Sequence, residues 1–275
     1  EDDFFSILSI KYGFDEVSVA CGSSTIDPED TDTSFSIGDI TFRIPVLASA
    51  MDGAVSPSLC QTMGRLGGLA VLNLEGIFTR YENDQEILDK ITSVPQEEVV
   101  PLLQQLYKEP IKPELVRKRV AEIKADGSIA AASITPAGFS TVAPPALEAG
   151  LDIMVIQSTV TSASHFSSKG SSLNIADLCS GSPVPVIVGN VVNYEGALSL
   201  MKAGADAILV GVGPGAACTT RRVCGIGVPQ ITAVADSAAA RDDFYSGTGK
   251  RVTIIADGGM RTGGDIVKAI VAGAD

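Results

Sequence analysis

Seven short apolar runs recur along the chain, separated by stretches with helical spacing: "IPVLASA" (44–50), "LAVLNL" (69–74), "IAAASIT" (129–135), "DIMVIQS" (152–158), "VPVIVGN" (184–190), "AILVGVG" (207–213) and "VTIIADGG" (252–259). The apolar positions are continuous rather than alternating, the pattern of parallel strands covered on both faces. Strand and helix alternate throughout, which predicts βα units. A small repeat sharpens the reading. "EAGLDIMVI" (148–156) and "KAGADAILV" (202–210) follow one grammar: a helix ends, Gly150 or Gly204 supplies a left-handed cap, an Asp follows and a buried strand begins. "VAGAD" (271–275) starts the phrase a third time. The fold expected is an α/β (β/α)8 TIM barrel, truncated before the eighth strand in this sequence; the alternative is an open doubly wound sheet.

Residues 81–127 break the rhythm. The segment is charged and helix-patterned, with breaks at Pro95, Pro110 and Pro113, and predicts an extra pair or trio of helices between the second and third strands. It is too short for a second enzymatic domain, so residues 1–275 are expected to form one barrel domain carrying a helical insertion. "HFSSKGSSLNIADLC" (165–179) reads as a polar loop leading into a helix.

A formal net charge of −13 argues against nucleic acid and anionic membrane surfaces as partners. No apolar run reaches the roughly 20 residues of a membrane helix. "EDDFFSILSI" lacks the basic region of a signal peptide and reads as the middle of a larger reading frame. Cys21, Cys60, Cys179, Cys218 and Cys224 show neither a CxxC pair nor a disulfide framework, so a reducing compartment, cytoplasmic or plastid stroma, is expected. His165 is the only histidine, no zinc-type ligand cluster is visible, and no GxSxG elbow is present.

Barrel enzymes place their chemistry at the C-terminal ends of the strands. "VGVGPGAACTTR" (210–221) is the richest of these ends: Gly213 and Gly215 permit positive φ, their carbonyls are unshielded, and Cys218 lies beside Thr220. A free cysteine is usually a buried small hydrophobe, and Cys60 and Cys224 take that reading; the glycine-rich surroundings set Cys218 apart. "IADGGMRTGGD" (255–265) is the second signal. Asp257 can take two ribose hydroxyls while Gly258 and Gly259 let a phosphate approach the backbone; the competing role for Asp257 is to cap the helix that starts near Thr262 or Gly263.

"LASAMDGAV", "GRLGGLAVLN", "VIVGNVVNYEGALSLMKAGADAILVG", "VGPGAACTTRRVCGIGVPQITAV" and "IIADGGMRTGGDIVKAIVAGAD" together resemble the IMP dehydrogenase / GMP reductase family over nearly the whole chain. The likeness is greatest to its CBS-less, IMP-dehydrogenase-related subgroup of cyanobacteria and actinobacteria. It implies a (β/α)8 barrel that assembles as a homotetramer or octamer, with IMP and NAD as ligands and a potassium ion as cofactor. Cys218 matches the nucleophile that attacks C2 of the purine, and Thr220 the threonine beside it. Gly213, Gly215 and Cys218 match positions whose carbonyls hold potassium. Ser49, Met51, Asn190 and Gly215 fall on the substrate side, Asp257 on the ribose, and Gly258 and Gly259 near the phosphate. Gln157, Ser158, Thr159 and Gly211 fall on the cofactor side. The implied reaction is NAD-dependent oxidation of IMP to XMP, a step of guanine nucleotide biosynthesis.

Four departures qualify the match. Ala216 stands where the family has a phosphate-binding Ser, Leu209 where it has a basic residue, and Gln157 where it has an Asp; the 81–127 helices replace a CBS module. Gln157, Leu209 and Ala216 motivate a second reading, a catalytically weak paralogue that binds purine nucleotides or serves an assembly role. A third, GMP reduction, is disfavoured by Val228, where GMP reductases tend to carry an aromatic.

Overall fold

The computed structural model describes residues 9–163 and 174–275. His165 and most of the polar loop expected around it lie outside the described residues. The parallel strands are β3 (Leu47–Ala48), β4 (Leu69–Asn73), β5 (Ala131–Ile134), β6 (Ile153–Gln157), β7 (Val186–Val191), β8 (Ala207–Val210) and β9 (Thr253–Ala256). They form one seven-stranded sheet in chain order, and the pairs β3–β4, β4–β5, β5–β6 and β8–β9 are parallel in register. Six of the seven predicted runs contain their strand, and the seventh, 184–190, falls one residue short of the end of β7 at Val191. The run at 44–50 predicts a longer strand than forms, for only Leu47 and Ala48 pair, and both are half-buried.

The chain divides into two compact units. The first, Thr33–Ser158 with Ser182–Ile187, holds β3 to β6 and the start of β7. It opens with a hairpin that the apolar runs do not announce, β1 (Phe35–Ile37) and β2 (Ile40–Phe42). Phe35 stacks on Phe42 at 5.0 Å, and Gly38 turns the chain with φ +57. Helix α1 (Pro57–Leu66) is capped by Ser56, whose hydroxyl accepts from Leu59 N at 3.2 Å, and stopped by Gly67 at φ +95. Cys60 is buried on its inner face as expected.

The charged segment forms α2 (Asp84–Ser93), α3 (Gln96–Leu106) and α4 (Pro113–Lys124). Pro95 precedes α3, and Pro113 opens α4 at the position where its missing N–H costs nothing. Helix α4 packs against α1 and against α5 (Phe139–Glu148), so it is the crossover helix between β4 and β5; α2 and α3 are the additions. Arg119 of α4 is buried and ties this region together. It donates to the carbonyls of Phe78, Tyr81 and Glu82 at 2.9, 3.3 and 3.2 Å, and pairs with Asp84 at 2.6 Å and Glu122 at 3.0 Å.

The second unit, Glu1–Asp32 with Thr159–Gly181 and Val188–Asp275, holds the rest of β7, then β8 and β9. Its helices are α6 (Ile175–Ser180), α7 (Tyr194–Lys202), α8 (Thr220–Cys224), α9 (Gln230–Thr248) and α10 (Gly263–Val271). Ile208, Val210 and Ile254 are fully buried, each such side chain contributing roughly 1.5–3 kcal/mol relative to exposure. Gly189 lets β7 and β8 meet: a Cβ there would fall on Leu209 Cβ and 2.6 Å from its carbonyl oxygen.

The repeated Gly–x–Asp phrase has a structural meaning. Gly150, Gly204 and Gly273 all take positive φ, at +86, +103 and +110. In the first unit Asp152 N donates to Ala130 O at 2.9 Å while its carboxylate accepts Ala130 N at 2.8 Å and pairs with Lys124 at 2.6 Å. In the second, Asp275 N donates to Ile254 O at 2.9 Å while its carboxylate accepts Ile254 N at 2.9 Å and pairs with Arg241 at 3.0 Å and Arg251 at 2.5 Å. Asp206 pairs with Lys250 at 3.0 Å. Among the described residues no helix is long and apolar enough to cross a membrane.

Candidate functional site

Three strand ends of the second unit are bonded into one frame. Gly211 N, after β8, donates to Val191 O of β7 at 2.9 Å, and Asp257 N, after β9, donates to Val210 O at 2.8 Å. Asn190, in β7 and 5% exposed, spans all three: its Nδ2 donates to Gly211 O at 2.9 Å and to the Asp257 carboxylate at 2.7 Å. Helix α10 is capped instead by Thr262, whose hydroxyl accepts from Asp265 N at 3.3 Å. Asp257 is therefore oriented by Asn190 and is not the helix cap. Gly211 is demanded by crowding at φ +139, since a Cβ would sit 2.6 Å from Asp257 O and 2.8 Å from Gln230 Oε1.

From this frame the loop 211–219 leads to α8. Gly213 takes φ +75 as expected; Gly215 does not take positive φ. Its carbonyl instead accepts Cys218 N at 3.0 Å, closing a turn that any residue could adopt, and a Cβ at 215 would meet nothing within 4 Å. Arg221 holds the base of the loop. Its side chain runs between Gly213 and Gly227, either of which would strike it with a Cβ, and donates to Val212 O at 3.0 Å and Val228 O at 2.5 Å. Sequence pattern alone does not single out Arg221; the flanking glycines are the available signal.

Cys218 is exposed, with its Sγ 3.2 Å from Thr220 Oγ1. The Thr220 hydroxyl and amide, with the Arg221 charge behind them, hold the thiol pKa below its ordinary value. Burial acts oppositely elsewhere, raising Cys179 to about 11 and Cys60 to about 12. Cys224, predicted to be buried, is exposed, because α8 is a five-residue surface helix with no buried residue. Because thiolate is the reactive form, Thr220→Val is expected to move the rising limb of Cys218 alkylation to higher pH, read as iodoacetamide rate against pH. An unmoved limb would show that the hydroxyl does not tune the thiol.

Gly258 and Gly259, both at φ +86, lie against this loop: a Cβ on Gly258 would be 3.5 Å from Gly215 N, and one on Gly259 3.1 Å from Pro214 Cβ. A cavity of about 450 Å³ adjoins them, lined by Ala216, Arg221, Gln230, Gly259 and Arg261 among others. Cys218, Thr220, Asn190, Gly211, Gly213, Gly215, Asp257, Gly258 and Gly259 thus gather in the second unit. Thr159 of the same unit is exposed. In the first unit, Ser49 and Met51 lie in the loop after β3, Met51 exposed, and Gln157 and Ser158 are half-buried at the end of β6.

An exposed thiol of lowered pKa thus lies on a glycine-rich loop that packs against Gly258 and Gly259, in an α/β fold where Asn190 orients the Asp257 carboxylate at the ends of parallel strands. A family profile described as the IMP dehydrogenase / GMP reductase domain matches residues 11–275, and the chain belongs to that family. An uncharacterized oxidoreductase of Mycolicibacterium smegmatis is 38% identical over 271 residues, covering 96% of this chain and 72% of its own length. The inosine-5'-monophosphate dehydrogenase of Haemophilus influenzae is 47% identical over 129 residues, 46% of this chain and 24% of that enzyme. Among solved structures, an IMP dehydrogenase/GMP reductase-like protein from Corynebacterium glutamicum superposes with a TM-score of 0.90 at 35% identity, over 97% of this chain and 71% of that one. The protein is an IMP-dehydrogenase-like oxidoreductase.

Proposed function

We propose that the protein oxidises IMP to XMP with NAD, through a covalent intermediate on Cys218, in a (β/α)8 barrel of which these seven strands are part. The observation that carries the reading is the exposed, hydroxyl-tuned thiol of Cys218, on a loop that touches Gly258–Gly259 in a frame where Asn190 orients Asp257. The thiolate adds to C2 of the purine, C2 gives up its hydrogen with the bonding pair, and water then displaces the sulfur to release XMP and regenerate the thiol. NAD supplies the hydride acceptor when bound. Gln157, Ser158 and Thr159 are the residues assigned to it; the Gln157 amide can both donate and accept, which suits a carboxamide.

Asp257 takes the ribose hydroxyls, and the backbone at Gly258 and Gly259 is open to phosphate. Backbone amides are assigned to that phosphate, because Leu209 is a buried strand residue and Ala216 has no hydroxyl. Potassium would be held by the carbonyls of Gly213, Gly215 and Cys218. Neutral carbonyl donors suit a monovalent cation, and Gly215 O retains a lone pair beyond the one that accepts Cys218 N. There the ion would hold the loop in shape.

The test is steady-state NADH formation from IMP, with GMP plus NADPH and ammonia release run alongside. XMP production supports the reading. Ammonia from GMP reverses the direction of hydride transfer. Nucleotide binding with neither product favours the weak paralogue, which Leu209 and Ala216 motivate.

A further inference from the structure

A second polar cluster is built in the first unit, around Asp52 of the loop after β3. The Asp52 carboxylate accepts from Tyr107 Oη at 2.6 Å, Ile77 N at 2.7 Å and Asn73 Nδ2 at 3.1 Å. Its seat is shaped for it, since a Cβ on Gly76 would land on the carboxylate. Tyr107 is the C-cap residue of α3, one of the two added helices. Arg80 lies over its ring, with Cζ 5.4 Å from the ring centre, and donates to the carbonyls of Glu75 and Glu109. Glu75 in turn accepts from Thr135 N at 2.5 Å and Thr135 Oγ1 at 3.1 Å.

The turn that Asp52 anchors is closed on itself. Met51 N donates to Ser49 O at 2.8 Å, and Met51 O accepts from Ala54 N at 2.9 Å and Val55 N at 2.8 Å. Yet Met51 is 57% exposed. The turn is thus fixed by its own bonds while Met51 projects from it, the preorganisation that a ligand-facing turn requires. We infer that Tyr107 is a positioning residue: its hydroxyl, brought in by the added helices, holds Asp52 and through it the Ser49–Val55 turn in the form that meets a purine nucleotide. The ligand's identity rests on the function proposed above. Burial, with the Asp52 charge and hydrogen bond behind it, pushes the phenol above its usual range, so the hydroxyl remains a donor at any working pH.

Tyr107→Phe keeps the ring under Arg80 and removes only the donor. The expected result is a rise of about tenfold in KM for IMP with kcat within about twofold, the size of one lost charge-assisted bond. Hydrogen exchange of the Ser49–Val55 amides should quicken and the Tm should hardly move. In a cycle with Asp52→Asn the two effects should fail to add. Unchanged exchange with unchanged KM overturns the inference, as does a lowered Tm with KM intact. Wild-type protein inert toward IMP would count against the proposed reaction in that control alone. Exchange at 49–55 in the variant would then decide the anchoring, faster exchange supporting it and equal exchange overturning it.

Discussion

Cys218→Ala is expected to lose IMP-dependent NADH formation by at least about four orders of magnitude, while IMP affinity stays within about threefold. The asymmetry follows from what the side chain touches. Its only side-chain partner among the described residues is Thr220 at 3.2 Å, and it is exposed, so truncation leaves no cavity and strands no buried group. The loop survives as well, because the bond from the residue-218 amide to Gly215 O and the Arg221 bonds to Val212 O and Val228 O do not involve sulfur. Cys218→Ser should be almost as inert, since a hydroxyl in the same place is hardly ionised at neutral pH. Isothermal titration with IMP, beside an NADH trace, separates the two quantities. Retained turnover in the alanine variant would remove the covalent mechanism altogether; lost affinity with lost turnover would make the thiol a binding group.

The largest expected loss of stability is at Arg119. Replacing it with Met keeps the apolar stem and removes a guanidinium whose side chain is 6% exposed. The carbonyls of Phe78, Tyr81 and Glu82 then lose a donor, and Asp84 and Glu122 lose a counter-charge. Breaking a buried pair from one side costs about 3–5 kcal/mol, and the partial exposure of both carboxylates places this case near the lower end. For a chain of this size that corresponds to a fall in Tm of roughly 6–12 °C. Circular dichroism melts and urea midpoints measure it, and a loss below about 1 kcal/mol would mean that water replaces the guanidinium without penalty.

Local composition carries most of the strand framework. The strands are covered on both faces, so their apolar residues run together, and Gly150 and Gly204 mark where two of them begin. The hairpin at 35–42 escapes for the complementary reason: "FSIGDITF" alternates inward Phe35, Ile37 and Phe42 with outward Ser36 and Thr41, a period-two signal unlike the continuous runs. The cysteine loop is legible because Gly211 and Gly213 have to be glycine, whereas Gly215 is not conformationally required. Asn190 can be read only as a polar strand end; its bridge to Asp257 joins residues 67 positions apart. The bond between Asp52 and Tyr107, 55 positions apart, leaves no trace at all, since Tyr107 sits in a charged helical stretch where an aromatic reads as surface.

The Gly–x–Asp clasp has a consequence for how the chain finds its alignment. In Asp152 and again in Asp275 one residue engages both the N–H and the C=O of a single residue near the start of the neighbouring strand, and a cation closes the other side of the carboxylate. Sliding β5 past Asp152, or β9 past Asp275, by one position would break these backbone bonds at once and exchange the strand's two faces. Each clasp is therefore an error check: a mispaired strand forfeits a charge contact and two hydrogen bonds before any side chain has packed.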